Sequence, residues 1–245
     1  NHLLLTQESC GDWREKIKIK VDAQSIELSG PYAASCNEKT LNLSPWGADR
    51  QVEQLFRALW RELGGTLHGK VREGTTPATA RVLTAHDSPA LGEVIREINK
   101  YSNNVMARQV FLTLSADRPA TPDGASRRIR NWLSDKGLPM PELVLENGSG
   151  LSRNERISAN SMSQLLLAAW KSPVMPELMS SLPLAGFDGT LKRRLDNSTA
   201  TGRAHLKTGY LDGVRAIAGY VIDSHDKRWV VVFLINDPKF RQGKP

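Results

Sequence analysis

Period-two alternation opens the chain. Lys16-Ile17-Lys18-Ile19-Lys20-Val21 and Ser25-Ile26-Glu27-Leu28-Ser29, closed by Gly30-Pro31, predict short antiparallel strands within residues 1 to about 44. The period then changes. Val52, Leu55, Phe56, Leu59 and Trp60 recur at helical spacing between Ala48 and Glu62, and Gly64-Gly65 ends the run. Thr66 to Arg72 reads as a strand, and Gly74-Thr75-Thr76-Pro77 as a connector. Ser88-Pro89 predicts a helix start, with Ser88 as cap and Leu91, Val94, Ile95 and Ile98 as the buried stripe. That helix breaks at Tyr101-Ser102-Asn103-Asn104 and resumes through Val105, Met106, Val110, Phe111 and Leu114. Further helices are expected over Asp123 to Lys136, stopped by Gly137 and Pro139, and over Ala159 to Lys171, capped by Ser158 and ended near Pro173 and Pro176. Between them lies a loop rich in Gly and Ser, Glu146 to Arg153. A tight turn, Leu182 to Gly189, leads into Thr190 to Leu195. The chain closes with an antiparallel strand pair, Ala216 to Ile222 and Trp229 to Ile235, preceded by a segment that displays Lys207-Thr208-Gly209.

Helices in the middle and antiparallel strands at the end predict an α+β domain. The early strands look like a separate β-rich module, so the expected division is residues 1–80 and 81–245.

Charge changes this picture little. The 245 residues carry a net +7, which suits an anionic partner, but there is no RNA-binding signature, zinc-finger spacing or long basic run. No nucleic-acid partner is expected. No run of 18 apolar residues exists, so no transmembrane segment is expected. Asn1 to Thr6 lacks the basic flank of a signal peptide and an initiator methionine, so the chain is expected to be processed or cut from something longer. Cys10 and Cys36 are too few for a metal site. They favour one disulfide and an oxidising compartment, with two buried free thiols as the competing reading.

Three groups of residues could carry chemistry. Lys207-Thr208-Gly209 offers a cation and a hydroxyl to an anion, beside a glycine that lets an extended backbone lie close. The same triplet is a landmark of penicillin-recognising serine enzymes, beside S-x-x-K and S-D-N. The pattern S-x-N occurs four times, but only Ser102-Asn103-Asn104 falls in a break between two apolar helices. There Ser102 could pass a proton, helped by the pull of Lys207, while Asn104 holds a substrate amide. The pattern S-x-x-K, which sets an amine one helical turn from an attacking hydroxyl, matches only Ser224-His225-Asp226-Lys227. That match lies in the final hairpin turn and is rejected as a polar turn. The five histidines show no ligand spacing, so neither a metal nor another cofactor is expected.

With these residues in place the chain resembles the D-alanyl-D-alanine carboxypeptidase/endopeptidases of the penicillin-binding protein 4 type, low-molecular-mass class C. The resemblance runs from about Asn42 to Asp237 on four ordered phrases. They are Tyr101-Ser102-Asn103-Asn104-Val105-Met106-Ala107, Asn147-Gly148-Ser149-Gly150-Leu151-Ser152-Arg153, Leu182 to Leu191, and Lys207-Thr208-Gly209. It implies a β-lactamase/transpeptidase-like domain, an antiparallel sheet with helices, preceded by part of a β-rich inserted domain. It also implies a periplasmic enzyme that cleaves peptidoglycan stem peptides through an acyl-serine and is acylated by β-lactam antibiotics.

By motif match, Ser102, Asn104 and Lys207 take catalytic positions. Thr208, Gly209, Arg153 and Asp212 take substrate-binding ones, Arg153 as a bidentate partner for a peptide carboxylate. Asp212 stands where the resemblance leads one to expect a neutral polar residue. With S-x-x-K missing, the chain is expected to be the C-terminal half of such an enzyme, its sheet left with an unpaired edge. Two other readings stay open: a non-catalytic peptidoglycan-binding module, and a β-lactamase of the same fold. Oligomeric state is not legible in the sequence.

Overall fold

The computed structural model describes residues 2–22, 25–41 and 43–238. The chain forms two compact units, Asn1–Thr84 and Ala85–Pro245.

In the first unit, β1 (His2–Thr6), a short α1 (Trp13–Lys16), β2 (Lys18–Val21) and β3 (Ile26–Ala33) precede α2 (Ala48–Glu62). The sheet order is β1-β3-β2. Two expectations are corrected here. β1 runs parallel to β3, and only β2 pairs with it antiparallel. β3 also continues through Gly30-Pro31: Gly30 takes a positive φ with its α-carbon pressed against Lys16, where a side chain would collide. A disulfide joins Cys10 to Cys36, with Cα atoms 4.7 Å apart. The helical period of α2 is as expected, but its apolar face stays open, with Val52 66% and Phe56 50% exposed. Thr66 to Arg72 is not a strand. Its carbonyls are taken by side chains of α2: Trp60 Nε1 donates to Thr66 O at 3.1 Å, and Arg57 donates to Leu67 O at 3.2 Å and to Gly69 O.

The second unit is α+β. Five helices, α3 (Leu91–Tyr101), α4 (Asn104–Thr113), α5 (Pro122–Asp135), α6 (Ala159–Trp170) and α7 (Met175–Ser181), precede the sheet. The strands β4 (Ala204–Leu211), β5 (Val214–Ile222) and β6 (Arg228–Asn236) lie antiparallel in that order. Lys-Thr-Gly therefore sits within an edge strand of a three-stranded sheet, not ahead of a hairpin.

Helix starts follow capping chemistry. Thr121, Ser158 and Asn103 each accept a backbone N–H with the side chain. Ser88 does not cap α3: Ala90 does, its carbonyl taking the N–H of Glu93 and Val94. The expected stripe is also trimmed, since Leu91, Val105 and Leu114 are exposed. α7 was not expected, because prolines on both sides of Met175 suggest termination. Pro176 instead occupies the first turn, where a missing N–H costs nothing.

Two apolar clusters anchor the unit. Leu133, Met140 and Leu143 gather Ile129, Ile157 and Leu165 between α5 and α6. Ala185, Leu191, Ala204 and Leu206 gather Ile217 and Val221 beneath β4. Burying Leu191 alone contributes roughly 2 kcal/mol. Tyr220, buried on β5, donates its hydroxyl to Leu166 O at 2.8 Å and packs on Trp170, fixing α6 to the sheet. Among the described residues no strand covers the outer edge of β6, where Trp229, Phe233 and Ile235 are exposed.

Candidate functional site

Ser102 closes α3 in the left-handed conformation, φ 55° and ψ 47°, with its N–H returned to Ile98 O. A residue so placed turns the chain sharply. Asn103 then caps α4 by accepting from Met106 N at 3.1 Å, and half-buried Asn104 opens the new helix. The bend delivers the Ser102 hydroxyl to β4. Lys207 Nζ donates to Ser102 Oγ at 3.1 Å and to Thr208 O at 2.8 Å. Burial pushes the Lys207 ammonium below the ordinary lysine value, which eases proton release.

Because Ser102 Oγ accepts from the lysine, its own O–H is free to point elsewhere. The pair can pass a proton while keeping a positive charge beside the hydroxyl. His205 lies on the same face of β4 two residues upstream. Burial, and then the charge of Lys100, hold it below its ordinary value, so it adds no competing positive charge at neutral pH; its Nδ1 is buried without a partner among the described residues.

Beyond Lys207, Thr208 presents its hydroxyl 3.5 Å from that of Thr190, and Gly209 pairs with Ala216. Thr190 was not foreseen. Nor were Lys100 and Asp188. Lys100, buried in the last turn of α3, donates to Asp188 Oδ2 at 2.6 Å and to Leu182 O at 2.7 Å. Desolvation raises the Asp188 carboxyl, but the Leu184 N–H and the Lys100 ammonium outweigh it and hold the group below its ordinary value. The available signal was that each charge sits inside or beside one of the four phrases, with opposite signs.

The Gly/Ser loop is internally braced. Glu155 Oε1 accepts the N–H of Glu146 and Asn147 at 3.1 Å each, and Asn147 Oδ1 accepts from Ser149 N and Oγ. Ser152 and Asn154 both donate to Glu146, which holds that carboxyl below its ordinary value. From this loop Arg153 Nη1 donates to the main-chain carbonyl of Asp212 at 2.5 Å. Arg153, Asp212, Gly213, Val214, Asn236, Asp237 and Pro238 line an open depression of about 760 Å³ at the end of β4 and β5. The structure therefore brings Ser102 together with Lys207 on β4, beside Thr208, and Arg153 together with Asp212 in the turn just past β4. No side-chain hydrogen bond ties Asn104 to either pair among the described residues.

Ser224 to Lys227 form a turn, as expected. Asp223 Oδ1 ties it by accepting from His225 N and Lys227 N. Among the described residues no group of three or more His, Cys, Asp or Glu side chains could hold a metal ion. No helix among the described residues is long and apolar enough to cross a membrane.

This arrangement has relatives. Residues 2–244 match the D-Ala-D-Ala carboxypeptidase 3 (S13) family. A D-alanyl-D-alanine carboxypeptidase of Actinomadura sp. (strain R39) is 34% identical over 177 residues, 68% of this chain and 33% of the relative. D-alanyl-D-alanine carboxypeptidase DacB of Haemophilus influenzae is 26% identical over 220 residues, 88% of this chain and 46% of the relative. The crystal structure of penicillin binding protein 4 (dacB) from Haemophilus influenzae superposes with a TM-score of 0.73 at 22% identity, over 99% of this chain and 55% of that one. A second structure of that protein, complexed with a novel β-lactam, gives 0.72 at 23% identity, over 96% and 56%. The fold is thus of the β-lactamase/transpeptidase-like type. The chain spans between a third and a half of the length of these curated relatives. On its sequence match, the chain belongs to the D-Ala-D-Ala carboxypeptidase 3 (S13) family.

Proposed function

We propose that this chain forms the substrate-gripping and proton-transfer side of a serine-type D-Ala-D-Ala carboxypeptidase/endopeptidase that acts on peptidoglycan stem peptides. The observation that carries this reading is the 3.1 Å contact between Lys207 Nζ and Ser102 Oγ, formed by two motifs 105 residues apart. An attacking serine hydroxyl adds to the carbonyl carbon of the penultimate D-Ala. The hydroxyl proton passes to the lysine of that serine's own S-x-x-K segment, and on to Ser102 as Ser102 gives up its own. The C–N bond breaks, and the terminal D-Ala leaves as an amine. Ser102 hands that nitrogen its proton, with Lys207 beside it to stabilise the charge that develops. Asn104 holds the substrate amide, and Thr208 and Gly209 line the strand along which the peptide lies. Arg153 and Asp212 meet its side chain. Water then hydrolyses the acyl-serine.

The attacking serine is supplied from outside these 245 residues, because the one S-x-x-K match is the Ser224 turn. The first unit is the C-terminal part of the inserted β-rich domain. A bacterial periplasm fits the Cys10–Cys36 disulfide and the cell-wall substrate, and β-lactam antibiotics are expected to acylate the complete site.

Labelling with fluorescent penicillin tests the reading. A protein carrying this chain together with an S-x-x-K segment is expected to label, and to lose labelling on Lys207→Ala. The 245 residues alone are expected to stay unlabelled. Failure of the longer protein to label overturns the peptidase assignment, and labelling of the chain alone overturns the absent-nucleophile part.

A further inference from the structure

Lys100 is buried and carries charge, yet it touches neither Lys207 nor the hydroxyl of Ser102. Its contacts lead around to both. On one side it stands two residues before Ser102, in the rigid last turn of α3, where Asn99 Nδ2 also donates to buried Ser181 Oγ at 2.8 Å. On the other side its ammonium holds Leu182 O and Asp188 Oδ2. Asp188 Oδ1 in turn accepts Leu184 N at 2.8 Å, which keeps the turn from Leu182 to Leu191 folded. That turn is bonded to β4 at two points just before Lys207: Leu206 N donates to Pro183 O, and Ala185 N to Ala204 O, at 2.9 Å each. Gly189, at φ +54°, lies so close to the Lys100 backbone that a side chain there would stand 2.5 Å from Lys100 O. The next residue is Thr190, whose hydroxyl faces Thr208. A closed loop of bonds therefore runs from Ser102 through Lys100, Asp188 and Pro183 to Leu206, the neighbour of Lys207.

We infer that Lys100 and Asp188 are positioning residues which set the Ser102 hydroxyl against Lys207, an inference that rests on the peptidase reading for its kinetic meaning. A charge pair suits this task. Its two ends lie on different elements, and the planar carboxylate bonds the ammonium with one oxygen and the turn with the other, so the angle between α3 and β4 is fixed as well as their distance. Ser102, held in a left-handed bend, has little freedom of its own to restore contact if α3 shifts.

The test separates positioning from stability in the full-length protein. Asp188→Asn leaves a buried ammonium without its anion, which is destabilising whatever else the pair does. The double variant Lys100→Met/Asp188→Asn removes that stranded charge, and its Tm is expected to return toward the parent's. Acylation by fluorescent penicillin is nevertheless expected to stay about a hundred-fold slow in the double variant, since a displacement near one ångström costs about that much. A rate that recovers together with Tm overturns the inference.

A second readout needs no activity. In a crystal structure of the double variant, Ser102 Oγ and Lys207 Nζ are expected to lie beyond hydrogen-bond reach, and retention of the contact overturns the inference. If the double variant fails to fold, Asp188→Glu, which lengthens the pair by one methylene, is expected to displace Ser102 Oγ in the same measurement, and an undisturbed contact again overturns it. Should the parent protein fail to acylate at all, the peptidase reading falls, and the distance measurement decides this inference by itself.

Discussion

Arg153 reaches across to the turn between β4 and β5 and gives one guanidinium N–H to the main-chain carbonyl of Asp212. Arg153 lines the depression at the strand end together with two acidic residues, Asp212 and Asp237. A substrate carboxylate would meet attraction and repulsion side by side. Arg153→Ala is expected to lower kcat/KM for stem peptides with an anionic side-chain terminus by roughly ten- to a hundred-fold, the loss of one charge-assisted pair. Acylation by a β-lactam without that group should change little. Asp212→Asn is expected to move the same ratio the other way. Steady-state kinetics on peptides with free and amidated termini checks both.

Burial of Lys207 predicts a displaced alkaline limit. If the ammonium assists Ser102, the acylation rate falls as that proton is lost, and burial places this below the ordinary lysine value of about 10.4. Lys207→Arg keeps a cation that does not titrate. It is expected to react more slowly but with a flat alkaline limb. The measurement is the second-order acylation rate between neutral and alkaline pH, in parent and variant.

Glu142 gives an acid-side prediction. The hydroxyls of Ser158 and Ser161 hold its carboxyl down to about 2, with Ser161 Oγ 2.6 Å from Oε1 and the Ser158 N–H adding to the effect. A folded value below the unfolded one of about 4.3 means that the native state prefers the charged form. The stabilisation is therefore complete above the unfolded value and is lost as pH falls through about 2. Glu142→Gln mimics the protonated group, so its Tm is expected to lie below the parent's at neutral pH, with the gap closing across that window. Thermal unfolding at neutral pH and at several acid values follows the gap directly.

Gly219 is the other backbone feature with a measurable cost. It lies on β5 opposite Leu206 at φ +151°, and a methyl group there would lie 2.1 Å from His205 O and 3.0 Å from Leu206 Cα. Gly219→Ala is expected to destabilise the second unit by about 3 kcal/mol, since β4 must move away. Because Lys207 travels with β4, penicillin labelling should fall even at temperatures where the variant remains folded. Urea unfolding alongside labelling separates the two effects.

What the chain reveals before folding, and what it hides, divides along physical lines. Helices α3 to α6 are legible because apolar residues recur at helical spacing, and strands β5 and β6 because each is a continuous apolar run bounded by turn residues. α7 was hidden because proline marks both the end of a helix and its first turn. The parallel pairing of β1 was hidden because alternation says which residues share a face and nothing about the partner's direction. Thr66 to Arg72 misled for a related reason: a strand-like pattern is not sufficient for a strand, and here Trp60 and Arg57 take carbonyls that a ladder would use. In the site, Ser102, Lys207 and Arg153 announce themselves by residue type within short phrases. Lys100 and Asp188 do not, since a lysine at a helix end and an aspartate in a turn read as solvated until the fold buries one against the other.

Ser102 holds its hydroxyl in backbone angles that favour glycine over every other residue. The usual way to delete a hydroxyl, Ser102→Ala, keeps a β-carbon in that disfavoured region, so its effects mix chemistry with conformation. Ser102→Gly removes both together. The expected protein is one whose bend forms more readily than the parent's while its acylation rate collapses. Fold economy and reactivity thus make opposite demands on one residue, and the parent sequence keeps the less comfortable choice.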